Sequence, residues 1–181
     1  ARALHEAGRR VLVLERRSHT GGNVHDHVHA ESGILVHTYG PHYFRTNDKD
    51  LWRYVNRFTS FQRYEAELKS LVDGRHENWP IAGSYIQRTV GRDWKPEFTG
   101  TPQNFEEASL AMMPRPIYEK FVKGYTEKQW GVPATTLSAG LAKRFDVRED
   151  DEPRLMRHKH QGIPAGGYTQ MMTNMLAGIP L

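Results

Sequence analysis

The run Val11-Leu12-Val13-Leu14, closed by Glu15, constrains the fold more than any other part of these 181 residues. Consecutive apolar residues leave no polar face, as in a parallel strand covered on both sides; a half-exposed strand would alternate. Residues Ala1 to Gly8 read as the tail of a helix, with Gly8 where a left-handed C-cap falls. Helix, tight turn, buried strand and terminal carboxylate make the second half of a dinucleotide-binding βαβ unit, whose acidic residue accepts hydrogen bonds from ribose hydroxyls. Such a residue sits ~20 positions beyond a G-x-G-x-x-G turn, so the turn is expected just upstream of Ala1. Ala1 already lies inside an amphipathic helical pattern, and Leu176 to Leu181 stop where a strand would begin. The chain is therefore expected to be a fragment.

The spacing Ala1-x2-Leu4-x3-Gly8-x2-Val11-x-Val13-x-Glu15-x5-Gly21-Gly22 resembles the extended fingerprint of FAD-binding flavoproteins. The glycine pair lets main chain approach a cofactor closely, because neither residue carries a Cβ. The plain alternative is an ordinary α/β unit with a surface glutamate and a glycine turn.

Composition narrows the chemistry by exclusion. Lys plus Arg number 25 against 21 Asp plus Glu, a net +4 spread along the chain. That balance suits anionic small ligands, and no basic run interleaved with aromatics points to nucleic acid. With no cysteine there is no disulfide framework and no thiolate nucleophile, and a reducing compartment is the plain inference. No apolar run approaches the ~20 residues that span a bilayer, and no signal peptide opens the chain. A soluble, cytoplasmic protein without a membrane partner is expected. His25, His27 and His29 alternate, so a strand would place them on one face. Imidazoles bind zinc and copper, yet no Cys or carboxylate pattern completes a shell, and an exposed strand face without metal is expected.

Tyr39-Gly40-Pro41-His42-Tyr43-Phe44-Arg45-Thr46-Asn47 is a turn leading to a helix. Asn47 or Asp48 can cap it, and Leu51, Tyr54, Val55 and Phe58 carry the helical period. Tyr64 to Ile81 read as a hairpin turning at Asp73-Gly74. Asn104 caps a helix running to Met112, ended by Pro114 and Pro116. A second helix is expected from Ile117 to Trp130, with Tyr118, Phe121, Tyr125 and Gln129 on one side. These are buried aromatics if packed on a core, and a stacking surface for a planar base if they face a cleft. Arg144, in a helical stretch from Leu137 to Phe145, could pair with phosphate through its planar fork.

The segments Gly40 to Asn47, Tyr118 to Gly131, Lys143-Arg144 and Gln161-Gly162-Ile163-Pro164-Ala165-Gly166-Gly167-Tyr168 resemble bacterial UDP-galactopyranose mutases in order and spacing. The resemblance runs over essentially the whole chain, and Tyr-Thr-Glu-Lys-Gln-Trp-Gly is its most specific stretch. It implies an α/β fold: a discontinuous FAD-binding Rossmann-like domain with an inserted helical bundle and a twisted antiparallel sheet. The FAD domain would take residues 1–58 and 166–181, the sheet 59–85 and 151–165, and the bundle 86–150. It implies isomerisation of UDP-galactopyranose to UDP-galactofuranose through a covalent adduct between galactose and N5 of reduced FAD, serving cell-wall polysaccharide synthesis. Nucleophilic catalysis by the cofactor would need no side-chain nucleophile.

By position, the resemblance puts Phe121 and Tyr125 on the uracil, Thr126 on the uridine, and Trp130 beside sugar and flavin. Gln129 would join the substrate side, and Arg144 would neutralise the diphosphate. His42 and Arg45 would lie by the flavin, Glu15 and Arg16 at the adenosine end, and Gly21, Gly22 and Asn23 along the cofactor. A homodimer is what the family suggests. The chain departs from the family pattern at Arg45, where many members carry a second histidine, and at Ala66, where some carry an asparagine. The region around Arg154-Leu155 replaces an aromatic pair. A different FAD oxidoreductase of the amine-oxidase-like type, and an inactive nucleotide-binding fragment, are the alternative readings.

Overall fold

The computed structural model describes every residue from Ala1 to Leu181 and resolves into two units, Ala1–Glu65 with Arg157–Leu181, and Ala66–Met156. In the first unit, α1 (Arg2–Glu6) ends as expected, with Gly8 at φ +72° and its amide on the His5 carbonyl. The strand expected over Val11–Leu14 does not form. The segment joins no sheet, Leu12 and Leu14 are 65% and 85% exposed, and Val13 N–H donates to the Pro180 carbonyl at 2.9 Å. A strand exists through its ladder partners, and none flanks this segment.

β1 (Asp26–Val28) and β2 (Leu35–His37) form an antiparallel pair. Of the alternating histidines only His27 lies within a strand, and His25 shares its face, the two rings stacking at 6.3 Å. His25 and His27 both turn Nδ1 to the Thr38 hydroxyl, at 2.8 and 3.0 Å, and His29 turns its own to Ser32. No group of three or more His, Asp or Glu side chains is arranged to hold a metal ion. β3 (Phe44–Thr46) and β4 (Phe61–Arg63) flank the antiparallel β7 (His160–Pro164). Asp48 starts α2 (Lys49–Val55), its carboxylate accepting the amides of Asp50 and Leu51.

Asp26 does the same for α7 (Gly167–Leu176). It is 3% exposed and accepts from Tyr168 N–H at 2.5 Å and Thr169 N–H at 2.9 Å. A carboxylate suits this place because the first-turn amides lack partners and the helix end is positive. The small core of this unit is Val55, Phe58, Tyr168 and Met171, with Phe44, Trp52 and Phe61 packed on it.

The second unit opens with a hairpin, β5 (Leu68–Val72) and β6 (Arg75–Trp79), which pairs Leu68 with Trp79. Asp73 and Gly74 both take positive φ, as a two-residue hairpin turn requires. α3 (Gly83–Val90) follows, then α4 (Phe105–Leu110), whose Asn104 cap accepts Glu107 N–H at 3.0 Å.

The single helix expected over Ile117–Trp130 is three segments: α5 (Arg115–Ile117), a π-helical stretch Tyr118–Lys123, and α6 (Gly124–Trp130). The wider π turn breaks the expected stripe. Tyr118 is fully buried and donates its hydroxyl to Glu106, while Phe121, Tyr125 and Gln129 line a cavity. Burial, then this bond to a carboxylate, pushes the Tyr118 phenol well up. The helical stretch around Arg144 is a 3-10 helix, Ala139–Arg144. Phe105, Met113, Ile117, Tyr118 and Val122 are wholly buried and anchor the core. Arg148, 5% exposed, fixes the following loop by donating to the carbonyls of Glu152, Arg154 and Leu155.

Candidate functional site

A cavity of about 430 Å³ opens in the second unit among the π-helical stretch, α6, the hairpin and the 3-10 turn. The six residues placed on the substrate side from sequence, Phe121, Tyr125, Thr126, Gln129, Trp130 and Arg144, all line it. Residues four apart share a helix face, so within α6 Tyr125 and Gln129 form one row and Thr126 and Trp130 the next, with Phe121 of the π-helical stretch beside them in the lining. Gly131 at φ +69° ends the helix, and Glu127 accepts Ala134 N–H at 3.1 Å, folding the chain back beneath that corner.

The cavity wall is aromatic. Trp79 lies near-parallel to Phe121, at 22° and 6.3 Å between ring centres, and perpendicular to Phe145 at 5.7 Å. Tyr125 meets Phe145 edge-on at 6.4 Å and is itself 61% exposed. Its charged lining is cationic only, Lys69 and Arg144, with no carboxylate. Thr126 is 1% exposed and its hydroxyl has no partner within the protein. Leaving such a group unpaired costs about 1–3 kcal/mol, and Thr126 belongs to the cavity lining. Flat aromatic walls, an unpartnered hydroxyl and two cations suit a planar heterocycle joined to an anionic group.

Sequence reasoning missed Leu68, Lys69, Ser70, Trp79 and Phe145 in this lining. Their signal was the hairpin period, which sets Leu68, Ser70 and Trp79 on one face, and for Phe145 its place beside Arg144.

The residues expected at a cofactor lie in the first unit. Gly21 and Gly22 take φ of +87° and +57°, and Gly40 takes +94°. A Cβ at Gly22 or Gly40 would meet nothing within 4 Å, so both present bare main chain. The Asn23 side chain accepts from the Arg17 guanidinium at 3.0 Å. The Glu15 carboxylate accepts Arg17 N–H at 2.9 Å, which holds its pKa below the usual range. Arg16 is exposed. His42 donates from Nδ1 to the Gly40 carbonyl at 2.8 Å, and the exposed Arg45 guanidinium lies 5.7 Å from the Tyr43 ring centre. The two stretches meet at Tyr39, also missed from sequence. Its hydroxyl bonds His19 Nε2 at 2.7 Å, and Arg17 lies over its ring at 4.8 Å.

Residues 120–179 match the family model described as UDP-galactopyranose mutase, and residues 1–58 match that of an NAD(P)-binding Rossmann-like domain. Together with the antiparallel sheets, this makes the chain a mixed α/β protein with a dinucleotide-binding segment. A probable UDP-galactopyranose mutase of Klebsiella pneumoniae is 35% identical over 95% of this chain and 48% of its own length. A dTDP-fucopyranose mutase of Escherichia coli is 34% identical, covering 97% of this chain and 50% of its own. A UDP-galactopyranose mutase of Mycoplasma genitalium is 27% identical over 98% of this chain and 48% of its own. The chain thus spans about half the length of the curated relatives it matches. No helix is long and apolar enough to cross a membrane. Aligned with these relatives over nearly all its residues, this chain is similar to UDP-galactopyranose mutases.

Proposed function

We propose that the full-length protein interconverts the pyranose and furanose forms of a nucleoside diphosphate hexose, UDP-galactose in first place, using reduced FAD. The observation that carries this reading is the cavity with aromatic walls, the unpartnered Thr126 hydroxyl and no charge other than Lys69 and Arg144. Phe121 and Tyr125 hold the uracil by its faces, which stacking allows without a fixed hydrogen-bond pattern. Thr126 and Gln129 take polar atoms of the uridine. Arg144 holds the diphosphate. This leaving group must stay for re-attack, and a guanidinium binds it by charge-assisted, bidentate hydrogen bonds. Trp130, 46% exposed at the end of α6, borders the sugar.

The bare main chain at Gly22 and Gly40 fits a flat cofactor that main chain approaches closely. Glu15 and Arg16 would hold its adenosine end, Gly21 to Asn23 its length, and His42 and Arg45 its redox-active end. Bound and reduced, FAD supplies a nucleophilic N5 for the anomeric carbon as the diphosphate departs. Arg45 places a cation where negative charge on a reduced flavin is stabilised. No G-x-G-x-x-G occurs in these residues, so none of them is assigned to the cofactor's pyrophosphate. The domain division 1–58 with 166–181, 59–85, 86–150 and 151–165 belongs to this reading, as does a homodimer.

A dTDP-linked 6-deoxyhexose is the second substrate reading, because the Escherichia coli relative matches this chain as well as the Klebsiella one, at 34% against 35% identity. The test is to reduce the full-length protein with dithionite and offer UDP-galactofuranose and dTDP-fucofuranose in turn. Conversion of either that disappears in oxidised enzyme supports the mutase reading and names the substrate. Bound FAD with conversion of neither would overturn it in favour of an oxidoreductase.

A further inference from the structure

We propose that His37 is the positioning residue of the Gly40–His42 turn, acting through an unprotonated Nδ1 that holds the main chain of His42. Donors and acceptors fix the two tautomers. His42 N–H donates to His37 Nδ1 at 2.9 Å. An amide can only donate, so this nitrogen carries a lone pair and neutral His37 is the Nε2–H tautomer. His42 itself faces the Gly40 carbonyl with Nδ1 at 2.8 Å. A carbonyl can only accept, so His42 is the opposite tautomer, and its Nε2 is left as an acceptor.

Gly40 stands at φ +94° and Pro41 has no amide hydrogen, so His42 offers the first donor after the proline. No main-chain carbonyl receives it. His37 is well placed to do so, being the last residue of β2, opposite Asp26 in the ladder. Its ring stands edge-on to Tyr168, 5.8 Å between centres at 74°, and Tyr168 is 4% exposed with its amide on Asp26. Asp26, Tyr168, His37 and His42 thus form a chain of contacts from a buried carboxylate to the turn. Resting on the cofactor reading above, this chain presents His42 Nε2 to the flavin as a hydrogen-bond acceptor.

The test is made on full-length protein in two parts. Nitrogen-15 spectra of the histidines are expected to show His37 bare at Nδ1 and protonated at Nε2, and His42 the reverse. Among variants, His37→Asn keeps an acceptor near the place of Nδ1, whereas His37→Phe keeps the ring against Tyr168 and removes the acceptor. His37→Phe should expose the His42 amide to faster hydrogen exchange and weaken flavin binding about tenfold, the size of one lost hydrogen bond. His37→Asn should stay within about twofold of wild type. A proton on Nδ1 of His37, or equal behaviour of the two variants, overturns the proposal. If the protein binds no flavin at all, the cofactor reading fails, while the tautomers and the His42 exchange rate still decide the role of His37.

Discussion

In the unit Ala66–Met156, Phe105, Met113, Ile117, Tyr118 and Val122 are fully buried, and Phe105 also lines the cavity. In the other unit the core is four residues, and Leu12, Leu14, Val28 and Ile34 are each more than 60% exposed. The first arrangement is held by apolar packing, which is dense and fixes rotamers. The second is held by polar pins on main chain, Asp26 on α7, Asp48 on α2 and His37 on the turn at His42. Under the proposed function, rigid aromatic walls on the substrate side and pinned loops on the cofactor side would be two different solutions to placing a ligand.

The largest effect that could break this contrast is a cavity in the larger core. Phe105→Ala should destabilise the second unit by about 3–5 kcal/mol in denaturant unfolding, and Phe58→Ala should cost the first unit visibly less. Equal costs would mean that the smaller core carries more than its burial suggests. Next in size, Asp26→Ala removes an ionised acceptor from two amides of α7 and should cost about 2–3 kcal/mol, leaving the second unit unmoved. Asp48→Ala should cost about 1 kcal/mol, the usual worth of an N-cap, read as lost helix protection in α2.

The smallest effect is on pH dependence. Burial, then the Asp26 carboxylate, pushes the Tyr168 phenol up to about 12, above its usual value of about 10. The folded state favours the neutral phenol, so this contribution is complete below about pH 10 and lost as pH rises through the folded value. Tyr168→Phe should flatten that part of the alkaline unfolding of the first unit, whereas Tyr64→Phe, an exposed position, should not.

What was legible in the sequence was local. Asp48, Asn104 and Asp73-Gly74 announce caps and a turn because a few neighbouring atoms decide them. Tyr125 and Gln129 are legible as neighbours because both lie in α6, whereas Tyr118 leaves the row because a π turn follows no period that a hydrophobic pattern encodes. Val11–Leu14 was read as a strand from apolar character, which reports a capacity for burial and says nothing of partners. Trp79 and Phe145 stayed hidden because their contact with Phe121 and Tyr125 is tertiary. His37 stayed hidden because its role lies in a tautomer.

Under the proposed function, the cavity beside α6 reads a pyrimidine through its walls and a diphosphate through Arg144. The most direct measurement is the affinity of the full-length protein for UDP and for uridine, in wild type, Arg144→Ala and Thr126→Val. Arg144→Ala should weaken UDP by about 10- to 100-fold, the worth of a charge-assisted bond, and leave uridine unchanged, while Thr126→Val should weaken both. UDP binding that is indifferent to Arg144 and Thr126 would contradict the account.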